Sequence, residues 1–195
     1  MAGGRAPREV RDPRVLRAIA HPFRLHLLDL IVRRGTLTSA EAAEATGEST
    51  AHCSFHLRQL AKYGFIEPAE ARDGRERPWK RVEGGERVPD DLGPEAALAA
   101  AEATKLILDR ALAELSEWLD HHHELPRRWQ RGAVVDEELL YLTAAELHEL
   151  SRTILGLLAR HRSRTTNPAE RPAGARPIRA LAALFPAAEI ERRAE

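Results

Sequence analysis

The sequence is short of the features that would place it in several large classes. It has one cysteine, Cys53, in 195 residues. That excludes an intrachain disulfide and a cysteine-rich zinc site, and a reducing, cytoplasmic setting is expected. Charge of either sign is not in surplus, because Lys+Arg and Asp+Glu both number 30. Any argument for a nucleic-acid partner must therefore be local. Long apolar runs are missing too: charges break the Ala-rich stretches before the roughly 20 residues that a membrane span needs. The opening MAGGRAPREVRDPR lacks the apolar segment of a secretory signal. Enzyme motifs are also lacking, with no P-loop, G-x-S-x-G, H-E-x-x-H or dinucleotide fingerprint. No catalytic residue, cofactor or membrane partner is expected.

What is present is uneven. Residues 49–82 carry seven basic side chains (Arg58, Lys62, Arg72, Arg75, Arg77, Lys80, Arg81) against four acidic ones (Glu67, Glu70, Asp73, Glu76), a net of +3. Residues 94–125 carry two basic against seven acidic, a net of −5. A mildly basic module thus precedes an acidic helical one. Residues 1–10 read as a disordered arm, 11–83 as the first domain, GGERVPDDLG (84–93) as a linker and 94–195 as an α-rich region.

Local rules divide the first domain. Asp12 is placed to cap a helix with Pro13 in its first turn. His21-Pro22 breaks that path, and Pro22 opens a second helix that Gly35 ends. Leu25, Leu27, Leu28, Leu30 and Ile31 make this helix apolar over most of its girth, so it should be central. Thr38-Ser-Ala-Glu41 is a capping box opening a short helix to Thr46. After Gly47, Glu48-Ser49-Thr50 starts another, ending near Tyr63-Gly64. Two helices joined by a short turn containing glycine form the helix-turn-helix pattern. Phe65-Ile66 begins a strand, Asp73-Gly74 is a hairpin turn, and Trp79 and Val82 lie on the return strand. Pro68 and Pro78 suit only an edge or a short strand.

Helix, helix, helix-turn-helix and arginine-tipped hairpin is the order of a winged helix. Residues 14–83 resemble the ArsR-type winged-helix transcriptional regulators. The resemblance rests on Ala20-His-Pro-Phe-Arg24, on Gly35-x-Leu37-Thr38, and on Ser49-Thr-Ala-His-Cys-Ser-Phe-His-Leu-Arg-Gln-Leu60 followed by Gly64-Phe-Ile66. It implies a dimeric, cytoplasmic, DNA-binding regulator, a repressor more often than an activator. Metal sensors of that family often carry a cysteine pair in the first helix of the motif. Here Ala40–Thr46 has no cysteine, and that site does not carry over.

At 100° per residue, Cys53, Leu57 and Leu60 share one side of helix 49–63 and belong to the core. Ala51, Phe55, Arg58 and Lys62 share the opposite side, which can enter a major groove. Ser49 and Thr50 are placed for phosphates or bases, Phe55 for thymine methyls, and Arg58 for guanine or phosphate. His52, Ser54 and Gln59 flank this face. Arg72, Arg75 and Arg77 surround the wing tip, where arginine enters a minor groove or clamps phosphates. The expected partner is double-stranded DNA. His52 and His56 have metal-ligand spacing, but a structural role fits His56 better. His121-His-His123 suit a helix C-terminus, with a metal as the other reading.

Beyond Pro94 a long helix should run to Leu125. Leu98, Ala101, Lys105, Leu108, Leu112, Leu115 and Leu119 form a heptad seam, with Lys105 the exception. The seam should join two copies of the chain, or else pack on a helix opened by the capping box Thr143-Ala-Ala-Glu146. Residues 134–142 (VVDEELLYL) read as a strand, pairing with 177–185. Trp118, Trp129 and Tyr141 are candidates to line a pocket for a small-molecule effector, although aromatic residues at such spacing also suit a core. The expected class is mainly α with a small β-wing. A winged helix-turn-helix domain leads an α-rich dimerisation or effector region with one or two short strands. Two other readings stay open: a protein-interaction winged helix that never meets DNA, and a small-molecule-binding protein with a vestigial winged helix.

Overall fold

The computed structural model describes residues 7–70, 77–89 and 91–187. Its first helix, α1 (Pro13–Ile19), starts where Asp12 accepts the Arg14 N–H at 2.8 Å. In α2 (Pro22–Arg34), His21 Nδ1 caps the Phe23 N–H, and Leu25, Leu27, Leu28 and Ile31 are buried. The central position expected of this helix is observed. Then α3 (Ser39–Thr46) opens on the Thr38–Glu41 capping box, and α4 (Thr50–Lys62) opens on Ser49. Between them Gly47 takes φ 74°, a left-handed turn that glycine adopts without the Cβ clash of other residues.

Among the described residues five short strands complete this part: β1 (Arg8–Glu9), β2 (Thr36–Leu37), β3 (Ile66–Pro68), β4 (Trp79–Arg81) and β5 (Glu86–Arg87). The antiparallel sheet has the order β2-β4-β3, with Ile66 opposite Arg81 and Pro68 opposite Trp79. Both prolines lie at the ends of this ladder, where the missing N–H costs least. The main core holds Leu27, Ile31, Leu37, Leu57, Leu60, Phe65 and Ile66, with Cys53 fully buried.

Two boundary expectations give way here. Arg8–Glu9 pairs in parallel with Glu86–Arg87, so ends of the expected arm and linker hold each other. Val10 is buried with Leu16, Ala96 and Ala99. The last two belong to α5 (Pro94–His121), which lies along α1. The start of the long helix is therefore part of the first body. Nonlocal pairing of this kind leaves no mark in a local pattern.

The long helix ends at His121 rather than Leu125 and tightens into a 3₁₀ turn, His122–Glu124. Its inward stripe is alanine: Ala96, Ala99, Ala103 and Ala111 are buried. The leucine seam faces outward, with Leu98 60% exposed. Beyond it lie α6 (Arg127–Gln130), α7 (Ala144–Ala159) and α8 (Ser163–Thr166). The strands expected at 134–142 and 177–185 are not formed; both segments are neither helix nor strand and are exposed. A strand persists only when another completes its hydrogen-bond ladder, and neither segment finds one among the described residues. The architecture is nonetheless mainly helical, with a small sheet after the helix-turn-helix region and a long helix beyond it.

After α8 the chain returns to the first body. Arg171 donates to the Val32 and Arg33 carbonyls at the end of α2, at 2.6 and 3.0 Å. Pro168 sits against Gly35, whose φ is 86°, and a Cβ there would meet the proline ring at 2.6 Å. Arg179 bridges Asp29 and Glu114, and Arg110 reaches the same Asp29.

Candidate nucleic-acid interface

The α4 helix divides cleanly into two faces. Cys53, His56, Leu57 and Leu60 are buried, while Ser49, Thr50, Ala51, Phe55, Arg58 and Lys62 are exposed. Phe55 is 52% exposed, a large apolar side chain held in water with no core to fill. Arg58 folds back, its Nε donating to the Ser54 carbonyl at 3.2 Å, and the residue stays exposed. Lys62 lies over the Tyr63 ring at 5.5 Å. Ser49 Oγ accepts the His52 N–H at 3.2 Å, so its hydroxyl proton remains available to a phosphate.

The flank of α4 is more engaged than the pattern suggested. Glu48 accepts from His52 Nδ1 at 3.0 Å, and His52 Nε2 shares a hydrogen bond with His56 Nε2 at 3.0 Å. Phe23 stacks on His52 with ring centres 4.8 Å apart, and His21 lies 4.7 Å from His56. His56 is 5% exposed, and its Nδ1 has no partner among the described residues. Burial, then the charges of His21, His52 and Arg24, pushes its pKa down to about 4. Burial, helped by Arg24 and His52, also lowers His21. This ring cluster fixes α4 against the start of α2, as the structural reading of His56 expected. Half-buried Gln59 and Ser54 border the open face.

The wing is built from β3 and β4. The Ala69 N–H to Pro78 carbonyl bond extends their ladder, and Lys80 pairs with Glu67 at 3.2 Å. Its base is anchored by Arg81, which pairs with Glu86 and donates to the Phe65 carbonyl at 2.6 Å. Arg77 is exposed at the descending edge. Arg72, the Asp73-Gly74 turn and Arg75 lie outside the described residues.

Residues 19–69 match a family described as a helix-turn-helix domain. The match runs from the end of α1 to just past β3 and so takes in α2, α3, α4 and β3 whole. No curated protein matches the chain. A helix-turn-helix domain supports a DNA-binding regulator, and α4 is the helix that its geometry offers to a groove. Among the described residues no helix is long and apolar enough to cross a membrane, and no group of three or more His, Cys, Asp or Glu side chains converges as a metal site.

The remaining candidates lie away from the helix-turn-helix domain. His121 and His122 donate Nδ1–H to the Glu117 and Leu119 carbonyls at 3.0 and 2.9 Å, at the negative end of α5. Trp118 packs on His122 with ring centres 4.9 Å apart. Trp129 lies under Arg176 at 5.2 Å, and Tyr141 is 97% exposed. The three aromatic residues thus have different surroundings. Of the seam, Leu98, Ala101, Leu112 and Leu119 are exposed and Leu108 and Leu115 half-buried. Sequence reasoning missed Arg24 at the start of α2: it was part of the Ala20–Arg24 motif, and no charge pattern singled it out.

Proposed function

We propose that the chain is an ArsR-like winged-helix transcriptional repressor, acting in the cytoplasm as a homodimer on an inverted-repeat operator. The observation that carries the reading is the open face of α4: Ala51, Phe55, Arg58 and Lys62 stand in solvent opposite Cys53, Leu57 and Leu60. In this reading Phe55 meets thymine methyls and Arg58 a guanine edge or a phosphate. Ser49, Thr50 and Lys62 hold the backbone, and Arg72, Arg75 and Arg77 clamp it from the wing.

The dimer has its own support. Large apolar side chains stand exposed on the α5 seam, on 134–142, on α7 and on 178–185, which is more than a solvated monomer needs to leave uncovered. Segment 94–125 is acidic, whereas α7, the turn after it and α8 set Arg152, Arg160, Arg162 and Arg164 against Glu146 and Glu149. In the proposed dimer, α7 of each copy covers the seam of the other. Residues 134–142 find their ladder partner in 177–185 of the second copy.

Selection of bound duplexes from a random pool tests this reading. Two inverted half-sites centred about 10–10.5 base pairs apart, or a multiple of that, are expected. Recovery of no enriched sequence would overturn it in favour of a protein-binding winged helix.

A further inference from the structure

A cleft of about 280 Å³ opens between α1, α2 and α4, lined by Arg14, Arg17, Ala18, Arg24, Gln59 and Tyr63. Two of its three arginines have acidic partners on the outer side: Arg14 pairs with Asp12 at 2.8 Å and Arg17 with Glu95 at 3.0 Å. Arg24 has none among the described residues. Its one hydrogen bond runs from Nη2 to the Arg17 carbonyl at 3.3 Å, and its Nε is buried without a partner. Burial lowers its pKa, and no carboxylate acts in the other direction. Arg24 is half-buried, and a shielded guanidinium N–H with neither a hydrogen bond nor a counter-charge costs stability. The Gln59 amide and the Tyr63 hydroxyl, both on the cleft wall, have no hydrogen bond among the described residues either.

We propose that this cleft is an anion site for a phosphate group, with Arg24 as its floor, Arg14 and Arg17 as its rim, and Gln59 and Tyr63 as neutral donors. The guanidinium fork matches phosphate oxygens two at a time. Binding there would give Arg24 the counter-charge that the fold withholds. The cleft also adjoins the open face of α4. At 100° per residue, Gln59 and Tyr63 point about 40° and 80° round from Phe55. A phosphate of a duplex lying along that face is one source of the anion, and this source rests on the function proposed above. A free phosphate or a phosphorylated small molecule is the other, and it does not.

The test uses the full chain and inorganic phosphate at constant ionic strength, with chloride as the balancing salt. In wild type, phosphate should shift the Arg24 Nε–H resonance saturably and raise Tm, and Arg24→Met should lose both effects. Without phosphate, Arg24→Met should keep or raise Tm, because it removes a half-buried guanidinium with no counter-charge. A merely structural arginine would lower it. Arg17→Met and Arg14→Met, on the rim, should weaken the phosphate response with the fold intact. The two sources separate in duplex binding as a function of salt. If DNA supplies the phosphate, Arg24→Met lowers the slope of log affinity against log salt by about 0.9. An unchanged slope with a lost phosphate response assigns the site to a free anion. No saturable phosphate response in wild type, together with a wild-type salt slope in Arg24→Met, overturns the proposal.

Discussion

The two halves of the molecule handle apolar surface in opposite ways. Before Gly93 the large apolar side chains close on each other: Leu27, Ile31, Leu37, Leu57, Leu60 and Phe65 are fully buried. Only Phe55 and Val88 are exposed large apolar residues among those described there. After Gly93 the buried residues among those described are alanines, while the large apolar side chains are half-buried or face water. The first half is therefore a finished core, and the second leaves apolar surface uncovered, the surface that the proposed dimer would bury. Phe55 is informative because it breaks the rule of its own half, on the face proposed to meet DNA.

This contrast can be broken most severely at the seam. Leu108→Asp with Leu112→Asp puts charges into the proposed dimer contact. Each buried charge costs several kcal/mol, so dimer affinity should fall by roughly 100-fold or more. Sedimentation equilibrium should then read the monomer mass, with helix content and the melting of the first half preserved. A dimer of unchanged affinity would show that the seam is not the contact. The converse variant, Leu57→Ala, opens a cavity in the finished core and should cost about 2–5 kcal/mol in denaturant unfolding.

Surface and end-cap changes sharpen the contrast on a smaller scale. Arg58→Ala should cost about 1–3 kcal/mol of operator discrimination while leaving the dimer mass alone. The two capping boxes give an internal control. Thr38→Ala should lower the stability of the first half by about 1 kcal/mol. The matching Thr143→Ala change should fray α7, read as faster amide exchange there, without moving the main unfolding transition. Acid offers the mildest probe. His56 titrates at about 4 in the fold against an ordinary 6.5, and the charged or titratable groups facing it are His21, His52, Arg24 and Glu48. Between those values the unfolded chain binds the extra proton. The His56 contribution is thus complete above pH 6.5 and shrinks as pH falls toward 4. Tm should drop over that window, and His56→Gln should flatten the drop.

How much could be read in advance follows the range of the interactions. The caps at Asp12, Thr38, Ser49 and Thr143 and the stops at Gly35 and Gly47 act within four residues, and all stand in the structure where local rules put them. The inner face of α4 was legible for the same reason, because Cys53, Leu57 and Leu60 repeat at helical spacing. The face that α5 turns inward was not. An apolar seam is read as a buried one, yet Ala96 and Ala99 are the residues small enough to let the helix lie close on Leu16 and Val10. The strand pairing of 134–142 with 177–185 fails within one chain, since periodicity reports the shape of a strand and not the molecule that supplies its neighbour. The Arg24 cleft was invisible because its walls come from three helices.

The central claim is that the open face of α4 reads duplex DNA. It is tested most directly by fluorescence anisotropy of a selected duplex at low salt, comparing wild type with Phe55→Ala/Arg58→Ala. The account predicts tight binding by the wild type and a loss of at least about tenfold in the variant, roughly 1.4 kcal/mol, with the two proteins equal in mass and melting temperature. Equal affinity of the two proteins for that duplex would contradict it.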